Sequence, residues 1–391
     1  MVELWALLVR PLLHGEQFTV FDRRISTRFV RPDLQEEEFM NLELNVEMKA
    51  IMRVPYALRR IPAASFCSLL PYSGSPQAGD IALAKIEKIG RNANLELSDG
   101  RRCSLHEGDL LAVVFGNRYA AMQFEGYARV DEDRCDLLSM GGVCGLVESK
   151  HAKAADPTKL HLVGFIGDAG GRPLGLRQFA LSPRSSASQP NIVVVCGTSM
   201  DAGKTHTALS LIMGLRQQGV RVAAIKLTGT ATGKDTWNLL DAGACVALDF
   251  VDGGFPSTYL CSADELISLY HLLMAHATAH KPDYVVIEIA DGLLQNETAA
   301  LLQNRRFTRT VDAWVFAAGD PLGAAGGLRL LREWGIEPLA ISGVVSMSAL
   351  GIRETQLATE LPCLTAHSLQ CGELNLQLLG AKSASAITLG A

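Results

Sequence analysis

The chain has 391 residues, 48% of them hydrophobic and 20% charged, with a formal net charge of −5. That length exceeds one typical core and favours two domains. The acidic balance excludes a broad nucleic-acid-binding surface, and no uninterrupted apolar stretch is long enough to span a bilayer, so neither nucleic acid nor membrane is expected as a partner.

The N-terminal stretch MVELWALLVRPLLHGEQ is mildly apolar but is interrupted by Glu3 and Arg10. It lacks a basic leader and a small-residue cleavage site, so it does not read as a signal peptide. The nine cysteines are scattered without a CxxC pair, which fits reduced thiols and a cytoplasmic location. Cys144 and Cys196 read as small buried residues rather than reactive thiols. The acidic run Glu36-Glu37-Glu38 reads as a solvated face.

Residues 79–128 carry the clearest pattern of the first half. GDIALAKIEKIG alternates poorly but fits a half-buried strand through Ala82, Ala84 and Ile86. NLELSDGRRCSL reads as a hairpin turning at Asp99-Gly100, and two more strands flank Gly116-Asn117. Strands this short and closely spaced predict a small barrel or sandwich within a β-rich domain over residues 1–181. The small, polar and proline residues of SPRSSASQP, 182–190, then predict a linker to a second domain over 191–391.

Beyond the linker the periodicity predicts strand 192–196, helix 204–218, strand 221–226, a helix around 234–243, strand 246–251, helix 262–279 and strand 283–289. A helix around 296–304, strand 312–317, helix 323–334 and strand 338–345 follow. Such alternation means βαβ units, an α/β fold with a mostly parallel sheet between two helical layers. Ligands of such sheets gather at the carboxyl ends of the strands.

The first strand end is the most informative. The run Ile192 to Val195 leads into Gly197, Thr198, Ser199, Met200, Asp201, Ala202, Gly203, Lys204, Thr205 and His206, and an amphipathic helix begins within that loop. A buried strand feeding a glycine-bounded loop into a helix N-terminus is a phosphate-binding device. Its amide groups face the anion, Lys204 reaches the outer phosphates and the Thr205 hydroxyl can hold Mg²⁺. Five residues separate Gly197 from Gly203, one more than in the common G-x-x-x-x-G-K-[ST] pattern. His206 simply faces the first helical turn.

Three further positions belong to the same crevice. Lys226 ends the apolar strand 221–226, where it can neutralise a substrate carboxylate or phosphate. Glu288 lies in the apolar run Tyr284 to Ile287, and a carboxylate there is costly unless paired or metal-bound. Asp235 reads equally as a metal partner or as the N-terminal charge of its helix. Asp291 is a further metal option, although Asp-Gly after a strand is more often a turn.

GTSMDAGKT resembles the long phosphate loop of dethiobiotin synthetase, G-T-x-x-x-x-G-K-T. Lys226, Asp235 and Glu288 match that family's second-strand lysine, the following aspartate and the glutamate of its E-G-A-G-G segment. GKDTWNLLDAGA is similar to a stretch of the molybdopterin-guanine-dinucleotide biosynthesis adapters, which share a broader P-loop class with the cobyrinic acid amidases. The chain departs from the synthetase pattern at Ser199, Leu227 and Ile289. The resemblance covers residues 191 to roughly 350 and implies that Lys204 and Thr205 contact phosphates and Mg²⁺. It also implies that Asp235 and Glu288 complete the metal shell and that Lys226 faces the substrate.

The expectation is a Mg²⁺-dependent protein that binds and hydrolyses ATP or GTP, with Lys204, Lys226 and Glu288 as catalytic residues. It would be a ligase or synthetase that activates a small carboxylate or carbamate by phosphorylation. The β-rich domain would supply substrate contacts or a homodimer surface. The alternative is a nucleotide-gated adapter or regulatory NTPase that acts on a protein partner.

Overall fold

Hydrophobic residues in the first half build a closed ring of strands. The computed structural model describes residues 42–71, 74–375 and 377–378; the apolar N-terminal stretch and the acidic run at 36–38 lie outside them. The elements of this half are β1 (Leu42–Glu43), α1 (Val46–Ile51), β2 (Ser68–Leu70), β3 (Ile81–Lys88), β4 (Asn94–Glu96) and β5 (Arg102–Ser104). They continue with β6 (Leu110–Phe115), β7 (Arg118–Tyr119), β8 (Phe124–Tyr127), β9 (Arg134–Leu137), β10 (Val143–Lys150) and β11 (Thr158–Gly167). Strand β11 pairs with β3, β3 with β6, β6 with β10, β10 with β9, and β9 returns to β11. Full closure leaves these five strands without an open edge.

Inside the ring lie Ala82, Ala84 and Ile86 of β3, Val113 and Phe115 of β6, and Leu137 and Leu160. The opposite faces of the same strands, through Ile81, Leu83, Ala112 and Val114, join a second core shared with the other half of the chain. Strands β3 and β6 are therefore buried on both sides, which is why GDIALAKIEKIG alternates so poorly. The β4–β5 hairpin forms at Asp99-Gly100: Asp99 Oδ1 accepts from the Arg101 amide at 2.9 Å, and Gly100 has φ +86°.

The second half contains β12 (Asn191–Gly197), α2 (Lys204–Gln217), β13 (Val222–Lys226), α3 (Gly233–Asp241), β14 (Ala247–Asp249), α4 (Ala263–Thr278) and β15 (Tyr284–Glu288). It continues with α5 (Asn296–Gln303), α6 (Arg305–Thr308), β16 (Ala313–Ala317), α7 (Pro321–Glu333), β17 (Ala340–Ser342), α8 (Ala349–Thr359) and α9 (Ala366–Gln370). The six strands form a parallel sheet in the order β14-β13-β15-β12-β16-β17. Successive residues face opposite ways. Val193, Val195, Ala224 and Val286 pack on α2 through Ala208, Leu211 and Leu215. Val194, Ile225, Ile287 and Phe316 pack on α4 and α5 through Leu266, Leu273 and Leu301. The result is a three-layer α/β fold preceded by a strand-rich region.

One expected element is cut short. The last strand, predicted over 338–345, ends at Ser342, because Gly343 turns at φ +94° and residues Val344–Met347 form a 3-10 turn. That turn packs on the phosphate loop, where the Val344 amide donates to the Ala202 carbonyl at 3.0 Å.

Residues 182–190 contain neither helix nor strand, and they are fastened to the end of α4. Ser186 Oγ donates to Thr278 Oγ1 at 3.1 Å and Ser188 Oγ to the Thr278 carbonyl at 3.3 Å. The strand ring and the parallel sheet belong to one compact unit. A buried polar joint links them: Tyr56 Oη donates to Asp249 Oδ2 at 2.7 Å, and the Arg59 guanidinium lies 2.8 Å from both Asp249 and Asp252.

Candidate nucleotide-binding site

Parallel register brings the charged strand ends together. Lys226 is the register partner of Glu288 on one side and of Asp249 on the other, while Val195 of β12 also pairs with Glu288. Lys226 and Glu288 follow Ile225 and Ile287, so they point to the opposite face, toward the N-terminus of α2. Their side chains approach to 3.6 Å between Lys226 Nζ and Glu288 Oε1.

The loop between β12 and α2 has the expected form. A Cβ on Gly197 would lie 2.7 Å from Lys204 Cγ and 2.8 Å from the Ala317 carbonyl, so only glycine lets the lysine fold across the strand end. Gly203 takes φ +94°, and a Cβ there would meet Gly343 Cα at 2.8 Å. The Thr198 amide donates to the Ala317 carbonyl at 2.9 Å, which holds the loop to β16. Ser199 is exposed and donates to the Met200 carbonyl at 3.1 Å; Asp201 takes φ +63°; Ala202 is buried. Gly203 is the N-cap of α2 and makes no side-chain cap, so the first-turn amides of the helix are directed at whatever occupies the loop.

Lys204 is buried and donates to the Ser199 carbonyl at 2.6 Å. Burial lowers its pKa, against the pull of Glu288 and Asp291. An ammonium held in a poorly solvated place binds anionic oxygen more strongly than one in water. Burial would also lower the Lys226 pKa, but Asp235 and Glu288 outweigh it and hold that ammonium above its ordinary value. Asp235 sits in the first turn of α3 and forms an ion pair with Lys226, so it serves its helix N-terminus and the lysine together.

The Thr205 hydroxyl donates to Glu288 Oε1 at 2.7 Å. The other oxygen, Glu288 Oε2, is buried without a hydrogen-bond partner. A hydroxyl beside a carboxylate with one orphaned oxygen suits the hard, oxygen-seeking Mg²⁺. Among the described residues no group of three or more His, Cys, Asp or Glu is placed to hold a metal. Phosphate oxygens and water would therefore supply the remaining ligands, as nucleotide-bound Mg²⁺ prefers.

These residues line one cavity of about 740 Å³, which also includes Met200, Asp201, Gly203 and His206. His206 is exposed, and Asp291 is partly buried at the cavity wall. Burial raises the Asp291 pKa despite the opposing pull of Lys204, Lys226 and Arg118. Cys196, beneath the loop, is fully buried, and burial pushes its thiol up to about 12, so it is inert. All nine cysteines are free.

The sequence predicts that the β-rich domain supplies substrate contacts or a dimer surface, but none of its residues stands out in the sequence as a site residue. Arg118 and Tyr119 of β7 line the same cavity. Glu96 of β4 accepts from the Thr232 hydroxyl and the Gly233 amide, both at 2.7 Å, and so caps α3 from outside its own half. Only the turn at Gly116-Asn117 signalled the neighbourhood of Arg118; a lone arginine after a turn carries no motif.

No family model and no curated protein matches this sequence. Among solved structures, it is similar to the signal recognition particle 54 kDa protein from Aeropyrum pernix K1 in complex with GDP. That match has 17% identity, covers 53% of this chain and 50% of that one, and has a TM-score of 0.33. The signal recognition particle receptor FtsY from Elizabethkingia anophelis matches at 16% identity, over 46% of this chain and 57% of that one, with a TM-score of 0.30. The same receptor in complex with GDP gives 15%, 46%, 58% and 0.31. The chain thus spans about half the length of the structures it matches. None of the three is a dethiobiotin synthetase, and likeness at this level carries nothing about activity. Among the described residues no helix is long and apolar enough to cross a membrane. The parallel sheet and its glycine-bounded loop are themselves the grounds for a P-loop-type α/β fold.

Proposed function

We propose that the chain binds ATP or GTP with Mg²⁺ on residues 197–205 and transfers the γ-phosphoryl group to a small carboxylate or carbamate. The observation that carries this reading is the convergence of Lys204, Thr205, Lys226 and Glu288 on one cavity at the carboxyl ends of a parallel sheet. The cavity also reaches past the loop to the strand-rich region, which leaves room for an acceptor beside a triphosphate. The synthetase-like match of Lys204, Lys226, Asp235 and Glu288 supports the same chemistry.

In this reading the loop amides and Lys204 hold the outer phosphates and favour the charge that spreads over the transferred group. Thr205 and Glu288 would hold Mg²⁺, which supplies further charge neutralisation on the phosphate oxygens. Lys226, kept protonated by Asp235 and Glu288, positions the acceptor oxygen. That oxygen attacks the γ-phosphorus, the bond to the β–γ bridging oxygen breaks, and the nucleoside diphosphate leaves with the electron pair. The acceptor becomes an acyl phosphate.

Purified protein supplied with ATP or GTP, Mg²⁺ and a panel of small carboxylates should release diphosphate with the matching acceptor, and Lys226→Ala should abolish that release. Absence of diphosphate with every acceptor, together with no effect of Lys226→Ala, counts against the transfer.

A second reading, a nucleotide-gated NTPase acting on a protein partner or a second copy, has one observation in its favour. Leu294, Leu322 and Met347 follow β15, β16 and β17 and are 85%, 83% and 84% exposed, so apolar side chains ring the loop end of the sheet. It predicts slow hydrolysis that a protein partner stimulates and small carboxylates do not.

A further inference from the structure

A buried cation without an ion-pair partner among the described residues lines the same cavity as the phosphate loop. Arg118 is 8% exposed, and its Nε and Nη1 have no hydrogen-bond partner; only Nη2 is engaged, donating to Gln123 Oε1 at 2.8 Å. Among the described residues no carboxylate forms an ion pair with it. Lys226, by contrast, is already held by two carboxylates, and Lys204 by its own loop. Natural proteins rarely bury an arginine without a carboxylate, because desolvation disfavours the charged form. Here burial lowers its pKa to about 10, so the guanidinium still carries its charge near neutrality.

The arginine is fixed in place by packing between the two halves. The adjacent Gly116 has no room for a Cβ, which would meet Val143 Cγ1 at 2.8 Å and Pro256 Cγ at 3.1 Å. Asn117 Oδ1 accepts from the Ala128 amide at 2.9 Å. Tyr119 packs against Tyr259 in a tilted ring contact, with centroids 5.6 Å apart and planes at 51°. A strand pinned on both sides thus delivers Arg118 to the cavity wall, with Tyr119 and Asp291 beside it. Arg118, Asp291, Lys204 and Lys226 all line that one cavity. Arg118 belongs to the strand-rich region and lies outside the phosphate loop, so it is available to a group bound beside the nucleotide.

We propose that Arg118 is the residue by which the strand-rich region recognises an anionic group, carboxylate or phosphate, on the acceptor. This rests on the phosphoryl-transfer reading and deepens it: the acceptor carries a negative charge that meets the unpaired Nε and Nη1 of the guanidinium, whose N–H groups suit bidentate binding of planar or tetrahedral oxyanions. The strand-rich region then sets specificity while the loop half binds nucleotide.

The test uses the full chain with Mg²⁺ and a non-hydrolysable ATP or GTP analogue, titrated calorimetrically with malonate, succinate or inorganic phosphate. The wild type should bind at least one of these anions. Arg118→Met should weaken that anion by about tenfold or more, the loss expected for a charge-assisted hydrogen bond, and Arg118→Lys should recover part of it. Analogue binding by each variant reports that it is folded. A preference for the dicarboxylates or for phosphate identifies the acceptor's charged group. Anion binding unchanged in Arg118→Met overturns the proposal, as does a wild type that takes the analogue but none of the anions. Loss of analogue and anion together in both variants, with unfolding excluded by circular dichroism, also overturns it and places Arg118 in the nucleotide site. A wild type that takes no analogue fails the phosphoryl-transfer reading itself.

Discussion

Replacing Glu288 by glutamine separates the charge of this side chain from its shape. The amide oxygen can still accept from Thr205, now 2.7 Å from Oε1, and the residue stays buried at 2% exposure. What disappears is one negative charge, 3.6 Å from Lys226 Nζ. At an effective dielectric constant near 20 that attraction amounts to about 4 to 5 kcal/mol. Desolvating the carboxylate costs several kcal/mol in the other direction, and Lys226 keeps Asp235. The two effects nearly cancel, so folding stability should shift by no more than about 2 kcal/mol in urea unfolding. Metal affinity has no such compensation. Wild-type protein should bind ATP or GTP more tightly with Mg²⁺ than without it. Glu288→Gln should keep the metal-free affinity and lose most of the enhancement, a change on the order of 10- to 100-fold. An equal Mg²⁺ enhancement in both proteins would refute the assignment of Glu288 to the metal.

Three further outcomes follow from the same geometry. Asp291 has a folded-state pKa above the ordinary 3.8, so the folded protein binds more protons than the unfolded chain between those values, and stability falls as pH rises through that window. Asp291→Asn should therefore be more stable than wild type at about pH 7, with the gap closing toward about pH 4 in urea unfolding; a gap that is constant with pH contradicts this. Arg59→Met leaves Asp249 and Asp252 buried without their shared cation and should cost about 3 to 5 kcal/mol, read from the chemical denaturation midpoint. Gly197→Ala puts a methyl group 2.7 Å from Lys204 Cγ and should reduce nucleotide affinity by about tenfold or more with the fold retained, measured by equilibrium binding.

The second half of the chain was legible because its strands are short, β-branched and separated by helices with one apolar face. The expected order of elements from 192 to 317 appears in the structure within a residue or two at most ends. Register then did what no motif states: it set Lys226 beside Glu288 because Ile225 and Ile287 are neighbours in the core. The final strand was overrun because GVVSMS looks like strand until Gly343 takes its positive φ and folds back on the loop. The first half was harder to read. Its central strands are buried on both faces, which erases the alternation that marks a strand, and its ring closes through contacts distant in sequence, such as β3 with β11. Arg118 was invisible for the same reason. Its significance lies in two unpaired guanidinium nitrogens, Nε and Nη1, at the wall of a shared cavity, and neither fact is local to the sequence.

In the proposed function, residues 197–205 act as an anion cradle closed by Lys204. Calorimetric titration of wild type and Lys204→Ala with ATP and GTP, in the presence of Mg²⁺, tests it most directly. Wild type should bind at least one nucleotide, and the alanine variant should lose about 100-fold or more in affinity, as expected when a buried charge on phosphate is removed. Equal affinity in the two proteins would contradict it.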